Sequence, residues 1–259
     1  MEWLQLPEVT SPAEWLAWDE ALLEASEGVP SDQPIPEKLW FWEAKSPFVV
    51  LGYGQKVALE VNVTDCEKDS VPILRRCSGG GTVVQGPGCL NYGLILEIPE
   101  FGPRSTITGT NAAVMNQQRA AMESLLGQPV VVRGHTDLAI LRAGRELKFS
   151  GNAQRRKRRA LLFHGTILLN FELEWITRWL RAPSWAPEYR AGRAHEDFVT
   201  NTRLARSAVE TALAQTWGAR VGSTRIDPQW IQPWMDRRYS HAAWHAGHAS
   251  AGPDLPGTA

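Results

Sequence analysis

Alternation is clearest at 90–98, where Leu90, Tyr92, Leu94, Leu96 and Ile98 take every second position. A period of two predicts a strand half-buried against helices. The runs KLWFWEA, FVVLGYG, PILRRC, VVVR and LLFHGTILLN predict strands at 38–44, 48–54, 72–77, 130–133 and 161–170, with a short TVV strand at 82–84. DLAILRAG and RELKFSG add two more, joined as a hairpin at Ala143-Gly144. Ser11-Pro12-Ala13-Glu14 reads as a capping box with proline in the first turn, and predicts a helix to about Ser26. Thr106 or Thr108 opens a long helix through Leu126, and shorter helices are predicted over 172–180 and 203–217. Between these lie a proline-rich loop at 28–37 and a polar short helix plus loop at 55–70. Hairpins interleaved with a few helices make the expected class α+β: a mixed, largely antiparallel sheet covered by helices. No internal repeat is seen. The sequence thins beyond Pro228, and SAGPDLPGTA at the end is expected to be disordered.

Composition narrows the function classes. The 259 residues are 43% hydrophobic and 21% charged with a net charge of −1, which is ordinary for a globular domain with a short tail. So little net charge argues against nucleic acid or an anionic membrane as the main partner. No apolar run approaches the ~20 residues that span a bilayer, and the acidic N-terminus lacks the basic cluster of a targeting leader. Cys66, Cys77 and Cys89 are three thiols within 24 residues, not a disulfide framework. A reducing cytoplasm is the expected setting. Twelve tryptophans are many, but none lies between Glu43 and Glu174. The spacings Trp15/Trp18 and Trp175/Trp179 suit helices packed on a sheet better than a ligand-stacking platform.

The chemistry concentrates in RRCSGGGTVVQGPGC at 75–89. Gly81 to Gly86 has the spacing of a P-loop, but Pro87 stands where the lysine should be and no helix follows. There is no G-x-S-x-G around Ser78. Two arginines beside bare backbone suit an anion held by turn amides, and equally suit glycines that only make tight turns. Two further clusters add weight to a site. Lys148 lies in a strand-like run, followed by small polar residues, Ser150-Gly151-Asn152, that predict a turn. His164-Gly165-Thr166 interrupts an apolar strand, and a mid-strand glycine often marks close approach of a ligand or another backbone.

Taken in order, these elements resemble the lipoate–protein ligase and octanoyltransferase family, whose catalytic domain is shared with biotin–protein ligase. The leading signature is Arg75-Arg76-Cys77-Ser78-Gly79-Gly80-Gly81-Thr82-Val83; then come Gly134-His135-Thr136-Asp137-Leu138, Lys148-Phe149-Ser150-Gly151-Asn152-Ala153-Gln154 and His164-Gly165-Thr166-Ile167-Leu168-Leu169. The resemblance implies a biotin/lipoate ligase-like catalytic domain over 39–217, a helix and loop over 1–38 packed on it, and a C-terminal extension over 218–259. It implies that ATP and Mg²⁺ activate lipoate or octanoate to the acyl-adenylate, and that the acyl group passes to a lysine of a lipoyl domain. That acceptor would be a glycine-cleavage H protein or a 2-oxoacid dehydrogenase subunit. It further implies that Lys148 is catalytic, on the acyl carbonyl and a phosphate oxygen. Arg75 or Arg76 would face the phosphate or carboxylate end. Ser78, Gly79, Gly80, Gly81, Thr82, Ser150, Gly151, Asn152, Ala153, Gly165 and Thr166 would line the acyl-adenylate. Asp137 would sit near the adenine or the metal. His164, on the same strand face as Thr166, would shape the mouth of the pocket.

The chain departs from the family at Gln85-Gly86-Pro87-Gly88-Cys89-Leu90-Asn91-Tyr92, where many members carry His-Asp, so the role of that acid does not transfer. The resemblance offers an alternative: octanoyltransferases move the group from acyl carrier protein without ATP, through a cysteine. The cysteine positions they use are not cysteine here, which leaves Cys77 and Cys89, each read first as a small buried residue. A silent acyl-binding protein is the third reading, and retention of Lys148 argues against it. The extension is too short for an accessory domain, which admits a separate accessory protein. Arg155-Arg156-Lys157-Arg158-Arg159 reads as a mobile loop attracting ATP phosphates or an acidic acceptor, ahead of nucleic acid. His241, His245 and His248 share a helical spacing, a weak signal for a metal.

Overall fold

The computed structural model describes residues 1–183, 187–223 and 226–247. His248 and the run 250–259 lie outside the described residues. The strands are β1 (Glu2–Trp3), β2 (Lys38–Trp42), β3 (Phe48–Leu51), β4 (Ile73–Arg75), β5 (Val83–Gln85), β6 (Cys89–Glu97), β7 (Val130–Arg133), β8 (Asp137–Arg142), β9 (Arg145–Arg156), β10 (Ala160–Leu168) and β11 (Arg220–Val221). The helices are α1 (Pro12–Glu27), α2 (Val57–Glu60), α3 (Val63–Lys68), α4 (Ile107–Leu126), α5 (Glu174–Trp179) and α6 (Arg206–Thr216), followed by short helical turns over 228–246.

Eight strands form one sheet in the order β11-β1-β2-β6-β10-β9-β8-β7, and β4-β3-β5 form a second. In the large sheet β1 is parallel to β11 and β2; the other neighbours are antiparallel. The expected α+β class with a mixed, largely antiparallel sheet is therefore the observed one. One sheet face packs on α1 through Leu22, Leu23, Trp40, Ile95 and Leu162. The opposite face packs on α4 and α6 through Val114, Met122, Val209 and Leu213.

Three expectations change. Strand β6 is buried on both faces from Cys89 to Leu96 rather than half-buried, because α1 covers the side that carries Asn91, Gly93 and Ile95. The adjacent runs at 38–44 and 48–54 end up in different sheets. No turn forms at Ser150-Gly151-Asn152: β9 runs on to Arg156, and these residues pair with Ile167, Thr166 and Gly165 of β10. Local small-residue composition favoured a turn; a full ladder of cross-strand hydrogen bonds overrides it. The hairpin at Ala143-Gly144 does form, with φ of 48° and 74° at the two corner residues.

The C-terminal region is more than a tail. Ile226, Ile231, Tyr239 and Trp244 are buried in the same cluster as α1. Tryptophans serve as packing: Trp18 and Trp40 are fully buried, and Trp15 stacks on Trp42 with centroids 5.2 Å apart. No helix among the described residues is long and apolar enough to cross a membrane.

Candidate functional site

Lys148 is positioned by an irregularity in β9. Its backbone N–H donates to Phe198 O at 2.9 Å and its carbonyl accepts from Thr200 N at 2.8 Å, so the segment 198–200 takes over pairing there. The β8–β9 register shifts at Leu138/Ala139 beside it. The side chain folds back over Gly151, where a Cβ would lie 2.8 Å from Nζ. The ammonium pairs with Asp137 Oδ1 at 2.8 Å, and Asp137 Oδ2 accepts from the Tyr189 hydroxyl at 2.8 Å. Burial, then the Asp137 charge, pushes the Tyr189 phenol well above its ordinary range, so it stays a donor. Both carboxylate oxygens thus face protein donors. Asp137 is placed as the counter-ion of Lys148, and each of its oxygens keeps a lone pair beyond the bond it makes. Among the described residues no group of three or more His, Cys, Asp or Glu side chains is gathered to hold a metal ion. Tyr189 was not foreseen; only its proximity in the fold links it to Asp137, 52 residues earlier.

Behind the lysine, Asn152 organises a second group. Its Oδ1 accepts from the Tyr92 hydroxyl at 2.6 Å, and its Nδ2 donates to Thr136 O at 2.6 Å and Ser150 Oγ at 3.2 Å. Thr136 Oγ1 returns a bond to Asn152 O at 2.7 Å. Gly165 is glycine because a Cβ there would come within 1.6 Å of Asn152 Oδ1. The mid-strand glycine therefore makes room for a neighbouring side chain, with the backbone carbonyl of Gly151 also close. Thr166 lies on the other face, hydrogen-bonded to the Cys89 thiol.

The arginine pair is turned inward, contrary to expectation. Arg75 donates to five backbone carbonyls: those of Gly52, Tyr53, Gln55, Trp244 and His245. Arg76 donates Nε to Ser78 Oγ at 3.0 Å and Nη2 to Gly79 O at 2.6 Å and Gly81 O at 2.9 Å. Burial pulls this guanidinium down to about 10, still charged at neutral pH. By gathering the loop's carbonyls to the inside, Arg76 leaves the amides of Gly79, Gly80 and Gly81 exposed, with no acceptor among the described residues. Amides arrayed this way form an anion-binding concavity. The loop rests on β9: a Cβ on Gly80 would lie 3.6 Å from Ala153 Cβ. Thr82 Oγ1 is buried with no partner.

His164 is enclosed, not at a mouth; its side chain is 12% exposed. Nε2 lies 2.6 Å from Ser78 Oγ and Nδ1 lies 2.5 Å from Asp19 Oδ2. Asp19 was missed in the sequence, although an acid pair within LAWDEALL of an otherwise apolar helix stripe is a signal.

The basic run is not a mobile loop. It closes the β9–β10 hairpin, and four of its five cations meet this chain's own acceptors. Arg155 donates to Cys77 O, Arg156 to the carbonyls of Arg104 and Ser105, and Arg159 to those of Val29, Pro30 and Gln33; Lys157 pairs with Glu24. Both ring nitrogens of His245 are engaged by backbone, with Arg75 N at 3.0 Å and Tyr239 O at 3.0 Å. Cys66, Cys77 and Cys89 are buried free thiols, and burial pushes Cys77 and Cys89 far up, against thiolate chemistry.

The model of the lipoyl protein ligase A/B catalytic domain matches residues 11–209. Lipoate–protein ligase 1 of Staphylococcus aureus is 26% identical over 181 residues, 70% of this chain and 50% of that protein. The chain spans about half or less of the length of the curated relatives it matches, 39% to 50%. In structure it resembles a chain from the bipartite lipoate protein ligase and E2 lipoyl domain of Thermoplasma acidophilum, with a TM-score of 0.80 and 22% identity over 98% of both chains. A lipoate–protein ligase A bound with ATP is similar, with a TM-score of 0.76 and 22% identity over 95% of this chain and 98% of that one.

Proposed function

The chain belongs to the lipoyl protein ligase A/B catalytic-domain family, and on that premise we propose that it is a lipoate–protein ligase. It activates lipoate or octanoate with ATP and Mg²⁺ to the acyl-adenylate, then transfers the acyl group to a lysine of a lipoyl domain. The observation that carries this reading is the Lys148 ammonium, aimed over Gly151 by Asp137, on the sheet face that also bears a loop of free amides. Lys148 hydrogen-bonds the acyl carbonyl and a phosphate oxygen, stabilising charge that grows in the transition state. Gly79, Gly80 and Gly81 hold the anionic part of the adenylate through backbone N–H groups, which Arg76 keeps turned outward. The eight-carbon chain offers about six methylenes, whose burial at ~0.8 kcal/mol each contributes on the order of 5 kcal/mol. Residues 39–217 form the catalytic domain, completed by α1 and the extension beyond residue 217. The acceptor is a glycine-cleavage H protein or a 2-oxoacid dehydrogenase subunit. Likeness along the whole chain to part of a bipartite ligase supports a separate accessory protein for the activation step.

Intact-mass measurement on an apo lipoyl domain tests the reading. The expected result is acylation from octanoate or lipoate with ATP and Mg²⁺, with or without an accessory protein. Acylation from octanoyl-acyl carrier protein alone would sink it. A finer check is Gly151→Ala. Its methyl would stand 2.8 Å from Nζ and must push the ammonium aside. Displacement by about 1 Å should cost about 10²-fold in acylation rate, while the fold stays intact because the obstructed atom ends a flexible side chain.

A further inference from the structure

Asp19 is a buried charge that the reading above leaves unused. Its side chain is 3% exposed, it comes from α1, and its Oδ1 has no hydrogen-bond partner. An ionised carboxylate with an orphan oxygen between helix and sheet is costly, and such groups are retained where they have work to perform. Its other oxygen takes His164 Nδ1 at 2.5 Å. A carboxylate only accepts, so Nδ1 carries a proton, and a ring with that single proton accepts at Nε2 from the Ser78 hydroxyl, 2.6 Å away. Ser78 Oγ also accepts from Arg76 Nε at 3.0 Å. A hydroxyl with its proton on histidine and one lone pair on arginine has one lone pair left. That open valence belongs to a residue only 1% exposed, beneath the exposed Gly79–Gly81 loop that the acyl-adenylate must engage to reach it.

The chain of bonds is held rigidly and close to the lysine. Trp40, Gly93, His164 and Ala153 lie on one rung across β2, β6, β10 and β9. The Trp40 ring fills the space over Gly93, where a Cβ would lie 2.1 Å from Cζ2, and so closes one flank of His164. Lys148 Nζ sits over Gly151, two residues from Ala153 on the same face of β9, about 7 Å along the strand.

We propose that Asp19, His164 and Ser78 form a proton relay for the amide-forming step, an inference that rests on the ligase reading. The neutral amine of the acceptor lysine attacks the acyl carbon of the adenylate, and a C–N bond forms. The bond from that carbon to the phosphate oxygen breaks, and AMP leaves with its electron pair. The proton lost by nitrogen passes to Ser78 Oγ as the proton of Ser78 passes to His164 Nε2. Asp19 stabilises the imidazolium until the ring returns its proton to solvent. In this relay Ser78 only passes a proton and forms no acyl ester.

The test starts from synthetic octanoyl-adenylate and the full chain, with either an apo lipoyl domain or hydroxylamine as nucleophile. Hydroxylamine is unprotonated at neutral pH and needs little help from a base. With the hydroxamate formed in the absence of protein subtracted, the ratio of lysine acylation to hydroxamate formation reads the relay, where a general loss of structure would lower both rates together. His164→Gln is expected to lower this ratio about 10²-fold. Asp19→Asn keeps the shape of its side chain and should lower it too, so a folding failure of the histidine variant does not decide the matter. A wild-type ratio in a folded Asp19→Asn protein overturns the relay. Accumulation of an octanoyl ester on the peptide bearing Ser78 overturns it as well. If the wild-type protein acylates neither nucleophile, the ligase reading falls and takes the relay with it.

Discussion

Replacing Lys148 by alanine is expected to lower the rate of lipoyl-domain acylation by roughly 10²–10³, the usual cost of losing a fixed donor at a developing charge. The change should leave the protein folded, since the ammonium is partly exposed and, among the charged groups of the described residues, is bonded only to Asp137. Removing it leaves Asp137 bound to Tyr189 in a partly exposed position, where a carboxylate recruits water at little cost. Single-turnover acylation beside a melting curve separates the two effects. A Lys148→Ala protein with wild-type rates would mean that the charge at the reacting carbonyl is supplied elsewhere.

Arg75→Ala should act in the opposite way, on stability first. The guanidinium joins carbonyls of the 52–55 loop to those of Trp244 and His245, while Trp244 Nε1 donates back to Arg75 O at 3.0 Å. Truncation strands several buried carbonyls, and removing one member of a buried charged network costs about 3–5 kcal/mol. For a domain of this size that corresponds to a fall in Tm of roughly 10 °C. Lysine should not restore it, because one ammonium cannot span acceptors on two sides as a planar fork does. Limited proteolysis should show cleavage over 226–247 before the rest of the chain opens. An unchanged melting curve and cleavage pattern would show that the extension is held by its apolar contacts alone.

These two residues show how far the sequence could be read. Lys148 stood out in the sequence through its motif, and the structure gives it a partner and an aim. Arg75 and Arg76 stood out too, and the structure turns both inward. Adjacent arginines beside glycines suggest a ligand anion, yet both side chains point at this chain's carbonyls. Nothing in the string RRCSGGG distinguishes a carbonyl that belongs to a ligand from one that belongs to the loop. The same limit applied to the basic run at 155–159, whose cations meet Glu24 and the carbonyls of residues far away in sequence. A charge is visible in sequence, whereas its partner is a property of the fold.

Sequence by itself determined the class of fold, the positions of most strands and helices, and the four motif elements in their order. The elements follow from periodicity, capping and turn chemistry, which act over a few residues, and the motifs from their resemblance to a known family. Tertiary structure decided that Asp19 meets His164, that Tyr189 holds Asp137, that β9 continues through an apparent turn, and that the region 226–247 packs on the core. Each joins residues by packing and hydrogen bonds across long separations, and such pairings are selected by the burial of the whole sheet, not by any local run of residues.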